Sequence, residues 1–210
     1  MLRVTQHDTL FKSSEHRPQG KRYRIINLNH YIYFVSITKE HKRLNAIFDN
    51  YRAQIDSIPD DQFDETPPHG GWSYAEVYSH IMQATMGATI ALERCTHQSD
   101  KPNTGKASLM GKMVLLFGRF PPVKIKEPQS VSSKMPAVKI SKEEARNLII
   151  KCRKRMEEMV PFTSDKLAIR RVKHPRLGMF SAAQWFKFIR IHLAHHLKQL
   201  DRIKKDFSAV

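Results

Sequence analysis

Three times in this chain a serine is followed three positions later by glutamate or glutamine, and each time an apolar stripe at helical period begins. The pairs are Ser73/Glu76, Ser141/Glu144 and Ser181/Gln184. In such a capping box the serine hydroxyl accepts from the N3 backbone N–H, and the N3 side chain accepts from the serine N–H. Three helices therefore have fixed starts. From 73 to about 98 the inward residues are Val77, Ile81, Ala84, Ala88 and Cys95, with His80 at the edge. From 141 to Pro161 they are Ala145, Leu148, Ile149, Cys152, Met156 and Met159. From 181 they are Trp185, Phe188, Ile189, His192, His196, Leu200, Ile203 and Phe207. A further stripe, Leu44, Ile47, Phe48, Tyr51, Ile55 and Ile58, predicts a helix over 37–58 that Pro59 ends. With no strand pattern beside them, four amphipathic helices read as an all-α, four-helix bundle.

The connections restrict the topology. About 14 residues join the first two helices, which suits antiparallel neighbours. About 40 residues, 99–140, join the second and third, with prolines at 102, 121, 122, 128 and 136. That length can run the height of the bundle, a crossover that permits an up-down-down-up order. Within it the apolar piece 109–118 is expected to be a short helix over an end or side of the core. Residues 1–35 show neither helical nor strand period and are expected to be a poorly ordered arm, or to precede a true start near Ser36. The bundle domain is then 36–210.

The histidines carry the chemistry. At about 100° per residue, His192 and His196 fall within about 20° of the centre of the last helix's stripe, and His195 lies about 80° away. His80 lies about 60° from the centre of its own stripe and roughly 10 Å into that helix, while the pair is roughly 16–22 Å into theirs. Only an antiparallel arrangement of the two helices brings the three to one level. Imidazoles buried in an apolar stripe are costly unless paired or liganded. Three of them, His80, His192 and His196, make an N₃ set with open positions, the pattern of a catalytic metal site. Imidazole alone does not choose among zinc, nickel, iron and copper. His41 is a reserve ligand at the edge of the first helix's stripe, and His97 points away from its own. His69 and His174, in loops, read as surface residues at the rim of the pocket, and Gln199 can bond His196 from the outside.

Other classes are argued against. No apolar run reaches the roughly 20 residues a membrane-spanning helix needs. Cys95 and Cys152, on separate helices, read as reduced core thiols of a cytoplasmic protein. Neither a Ser-His-Asp nor a Cys-His arrangement can be assembled, and there is no glycine-rich phosphate loop. The net charge of +16 is uneven, with 25 basic against 8 acidic residues over 101–210. Without a nucleic-acid-binding motif this reads as a solvated basic face, one that also suits an acidic small-molecule substrate.

Three segments resemble one family. Gly71-Trp72-Ser73-Tyr74-Ala75-Glu76-Val77-Tyr78-Ser79-His80 resembles the tryptophan-led second helix of the DinB/YfiT-like superfamily. His174-Pro175-Arg176-Leu177-Gly178, followed by Ser181 and Trp185, resembles its approach to the fourth helix, and His192 to Leu200 resembles its H-x-x-H-H-x-x-Q-hydrophobic signature. The resemblance covers about 37–207. It implies an up-down-down-up bundle holding a divalent metal, commonly zinc or nickel, on His80, His192 and His196. It also implies an enzyme of one of two kinds, a thiol S-transferase using a low-molecular-weight thiol or a hydrolase using activated water. A small-molecule substrate and a homodimer are the expected partners. The alternative expectation is a non-catalytic helical dimerisation or binding module with a basic face.

Overall fold

The computed structural model describes residues 28–97, 105–122, 136–163 and 170–209. Its helices are α1 (Leu28–Ser57), α2 (Asp60–Phe63), α3 (Tyr74–Arg94), α4 (Leu109–Phe117), α5 (Lys142–Met159) and α6 (Ala182–Ser208). All three capping boxes form, each serine hydroxyl accepting from the N3 backbone and each N3 side chain from the serine N–H. Pro59 sits between α1 and the short α2, where its ring stops the first helix. The expected start of the first helix is corrected, since α1 begins at Leu28 and runs through the 35/36 boundary. Residues 1–27, the rest of the expected arm, lie outside the described residues.

Cross-helix bonds fix the direction of each element. Along α1 and α5, Asn45 pairs with Glu157, Asp49 with Arg153 and Asp56 with Arg146, so these helices are antiparallel. Along α1 and α6, Glu40 meets Arg190, the Tyr51 hydroxyl donates to the Leu193 carbonyl at 2.8 Å, and Gln54 donates to Asp201. Those two run parallel. Tyr74 at the start of α3 stacks on Phe207 at the end of α6, and Cys95 after α3 reaches the Phe180 carbonyl before α6. These helices are antiparallel, while α3 and α5 run together through Cys152–Met82 and Arg155–Glu93. The order is up-down-down-up.

The expected stripes form the core. Leu44, Phe48, Tyr51 and Ile55 of α1 are fully buried, as are Val77 and Ile81 of α3, Ala145 and Cys152 of α5, and their neighbours. Burying each large apolar side chain contributes roughly 1.5–3 kcal/mol. The exposed ion pairs along α1 and α5 are worth less than about 1 kcal/mol apiece and mainly hold the register. α6 is more deeply enclosed than one stripe allows, because Phe186, Ile191, Leu193 and Leu197 are buried beside the expected residues. It packs against α1, α3 and α4, and α3 is enclosed as fully, between α5 and α6.

One strand pair departs from the purely helical expectation. Val172–His174 (β1) pairs antiparallel with Gly178–Phe180 (β2), with Val172 opposite Phe180. Gly178 has φ +84°, and a Cβ there would stand 2.5 Å from the Ser108 nitrogen and 2.8 Å from the Lys106 oxygen. The turn needs glycine both for its backbone and for the approach of the crossover. The Ser108 N–H donates to the Leu177 carbonyl and the Met179 N–H to the Lys106 carbonyl. The apolar piece 109–118 is thereby seated as α4, with Ser108 its N-cap and Gly118 its left-handed C-cap. Val114 and Leu115 face inward, and the segment lies over one side of the core, as expected.

Candidate metal centre

His80 projects from the second turn of α3, held at its level by the Ser73 cap. His192 and His196 project from successive turns of α6 onto the same side. Each residue offers one ligand nitrogen, and these all lie within 4.8 Å of one another. The two α6 rings bring their Nε2 atoms to 3.1 Å. Zinc–nitrogen bonds of about 2.0–2.1 Å at tetrahedral angles require nitrogens roughly 3.3 Å apart. The α6 pair has that spacing, and His80 is the third group close enough to join it.

Polar satisfaction points the same way. Gln199 Oε1 lies 2.8 Å from His196 Nδ1, and that oxygen can only accept. His196 therefore carries its proton on Nδ1 and turns the Nε2 lone pair toward His192. His80 Nδ1 is buried without a hydrogen-bond partner. Burial keeps all three rings neutral. It lowers His80, lowers His192 well below the usual range with help from His196 and His80, and pushes His196 down to about 3. Three converging neutral imidazoles, one of them carrying a buried nitrogen that no protein group satisfies, are what a divalent cation needs and what an apolar core does not tolerate cheaply. The residues present fit the ion.

Two aromatic walls enclose the cluster. The Trp72 ring lies 5.0 Å from His80, and Phe120, just beyond α4, lies 5.9 Å from His192. Trp72 lies in the Gly71–His80 segment that resembles the family, but no local pattern there assigns the indole a partner. Phe120 had no local signal, because its position depends on how the crossover folds back.

The remaining histidines divide. His195 is exposed, its ring 5.0 Å from Phe120, and stands outside the ligand cluster as expected. His97 is exposed in the turn after α3. His41 is corrected: it faces Glu157 and Asn45, away from the other three. His69 is exposed and bonded to Asp206 through both its ring and its backbone N–H. His174 is also corrected. It is no ordinary surface residue but packs at 4.6 Å against Phe188 and beside Trp185, and burial pushes its pKa down to about 4. Its Nδ1 accepts from the backbone N–H groups of Arg176 and Leu177, closing the turn between the two strands. Phe188 stacks in turn on His192, so the His-Pro turn braces the turn of α6 that carries His192. Cys95 and Cys152 are free, buried thiols pushed by desolvation up to about 11 and about 12, unsuited to nucleophilic work. No helix among the described residues is long and apolar enough to cross a membrane.

Comparison with known proteins adds a fold neighbour. YfiT from Bacillus subtilis, whose structure is titled "a probable metal-dependent hydrolase with an unusual four-helix bundle topology", matches with a TM-score of 0.59 and 13% identity. The match covers 92% of this chain and 94% of that one. At that identity the likeness is one of fold. No curated protein matches the chain. The model of the DinB superfamily matches residues 43–200, a span that takes in α3, α5 and the histidine turns of α6. This chain belongs to the DinB superfamily.

Proposed function

We propose that the protein is a divalent-metal-dependent enzyme of the hydrolase-like kind, with His80, His192 and His196 holding the ion. The observation that carries the reading is the convergence of three neutral imidazoles on one point between α3 and α6, one of them with an orphaned nitrogen. A divalent ion held there supplies Lewis acidity and lowers the pKa of a water or thiol brought to it. The chain's own residues do the rest. Gln199 fixes the tautomer of His196, and Trp72 and Phe120 screen the rings from bulk water, which strengthens electrostatic interactions inside the site. His195 adjoins the cluster as an exposed imidazole, whereas His41 and Asp60 are engaged elsewhere, with Glu157 and Lys142. Neither Cys95 nor Cys152 is a low-pKa thiol, and in this reading the nucleophile is a water or small thiol from solution.

Elemental analysis of wild type and of His80→Ala, His192→Ala and His196→Ala tests the site. Wild type is expected to carry zinc or nickel near one ion per chain, and each variant to lose it while keeping its helical circular dichroism. A wild type that purifies and reconstitutes metal-free sinks the proposal. Assays of aryl ester and amide hydrolysis, run beside conjugation of bromobimane with low-molecular-weight thiols, separate activated water from activated thiol. Thiol conjugation alone would favour the S-transferase reading. Full metal loading with neither activity would favour a binding module.

A further inference from the structure

A cavity of about 480 Å³ opens beside the histidine cluster, between the Pro67–Trp72 loop and the last turns of α6. That volume falls in the range of small-molecule sites. Its inner wall includes Trp72 and Gln199, the side chains that touch His80 and His196. Arg202, Lys205 and Asp206 line it further out, with Ile203 between them. The charges there are unbalanced. Asp206 is already engaged by His69 through ring and backbone, whereas among the described residues no carboxylate lies within ion-pair distance of Arg202 or Lys205. The loop side is kept bare by Gly70 and Gly71, at φ +81° and +103°, where an added Cβ would meet nothing within 4 Å. The result is an open groove beside the histidine cluster that carries the Trp72 indole and two exposed cations, Arg202 and Lys205.

We infer that this cavity receives an oxyanion-bearing small molecule, a carboxylate or phosphate ester with an apolar body, and that Arg202 is the residue that holds the charged end. The guanidinium fork matches either oxyanion in a bidentate way, and Lys205 adds a second cation. The indole of Trp72 takes the apolar body, which then points inward toward the histidines. The field of the C-terminal half, 25 basic against 8 acidic residues over 101–210, draws such a molecule in. The inference rests on the metal-enzyme reading for what happens next, but not for binding itself.

The test uses full-length, metal-free protein, so that the anion cannot simply ligate an ion. It is titrated with phenyl phosphate, benzoate and uncharged benzyl alcohol, followed by tryptophan fluorescence and calorimetry. The anions are expected to bind saturably and roughly ten-fold or more tighter than the alcohol. Arg202→Ala is expected to lose that margin, Arg202→Lys to keep part of it, and Arg94→Ala, an exposed arginine outside the cavity, to match wild type. Zinc content of reconstituted Arg202→Ala should equal that of wild type, which separates anion holding from ligand geometry. Equal binding of the alcohol, indifference to Arg202→Ala, or no saturable binding of either anion overturns the inference. A wild type that takes up no metal defeats the metal reading and leaves the anion result to stand alone.

Discussion

Replacing His80 by leucine should move the stability of the metal-free and metal-loaded protein in opposite directions. His80 is 6% exposed, and its ring lies 5.0 Å from Trp72, 5.0 Å from His196 and 5.8 Å from His192. Its buried Nδ1 has no partner, and an orphaned polar atom costs about 1–3 kcal/mol. Leucine is close to it in volume, keeps the packing against the indole and removes that penalty. Against this, some ring contact is lost, so the metal-free variant should be as stable as wild type or up to about 2 kcal/mol more stable. With metal at a hundred times its dissociation constant, the wild type gains about 2.7 kcal/mol, or roughly 5–10 °C in Tm for a chain of this size. The variant, with two ligands left, should gain little. Thermal melts by circular dichroism, in chelator and in zinc, read both arms on the same samples. A variant more than about 2 kcal/mol below wild type in chelator would mean that the imidazole is satisfied without metal, and the orphaned-nitrogen argument would be refuted.

Three other outcomes are expected. Gly178→Ala adds a Cβ against the backbone at Ser108 and Lys106 in a left-handed conformation, and should cost roughly 2–4 kcal/mol; a Tm within about 2 °C of wild type would show that the crossover is not seated there. Metal-free protein should lose stability on acidification. Above pH 6.5 native and unfolded imidazoles are both neutral and contribute no pH dependence; below it the unfolded chain takes up protons while His192, His196, the half-buried His174 and, over a narrower range, His80 do not. Each such histidine removes about 1.4 kcal/mol per pH unit until its folded pKa is reached, and urea midpoints that stay flat from pH 7 to 5 would refute this. Tyr51→Phe deletes the hydroxyl bonded to the Leu193 carbonyl, but that oxygen keeps its helical partner, so urea unfolding should show a loss of about 1 kcal/mol rather than 3.

What could be read in the sequence follows from the range of the interactions concerned. The capping boxes are contacts between residues three apart, and all three formed where the local pattern put them. The stripes are one-dimensional projections of burial, so they held for α1 and α5. They understated α3 and α6, because each packs against more than one other helix and buries side chains beyond the expected ones, such as Met82 and Leu92 of α3 and Phe186 and Leu193 of α6. The start of α1 was misplaced for a related reason: Asn29 to Ser36 has neither a capping box nor a clean stripe, yet the helix runs through it. His174 shows the other limit. A histidine beside proline in a loop has the composition of a surface turn, and only the two N–H groups donated to its Nδ1, together with the aromatic cluster folded over it, make it a brace. Phe120 and Arg202 belong to the same category, since their roles depend on which elements fold beside them.

The clustering of His80, His192 and His196 was legible for a stronger reason than the motif. Two histidines four apart on α6 fit many structures, but His80 is compatible with them only if α3 runs antiparallel to α6, and the long 99–140 connection permits that direction. The Tyr74–Phe207 stack and the Cys95–Phe180 contact, at opposite ends of the two helices, settle the direction without reference to any histidine. The heights of the imidazoles and the topology of the bundle are therefore independent observations that agree. Had α3 run parallel to α6, the same histidines would sit a turn or two apart, and no single ion could span them.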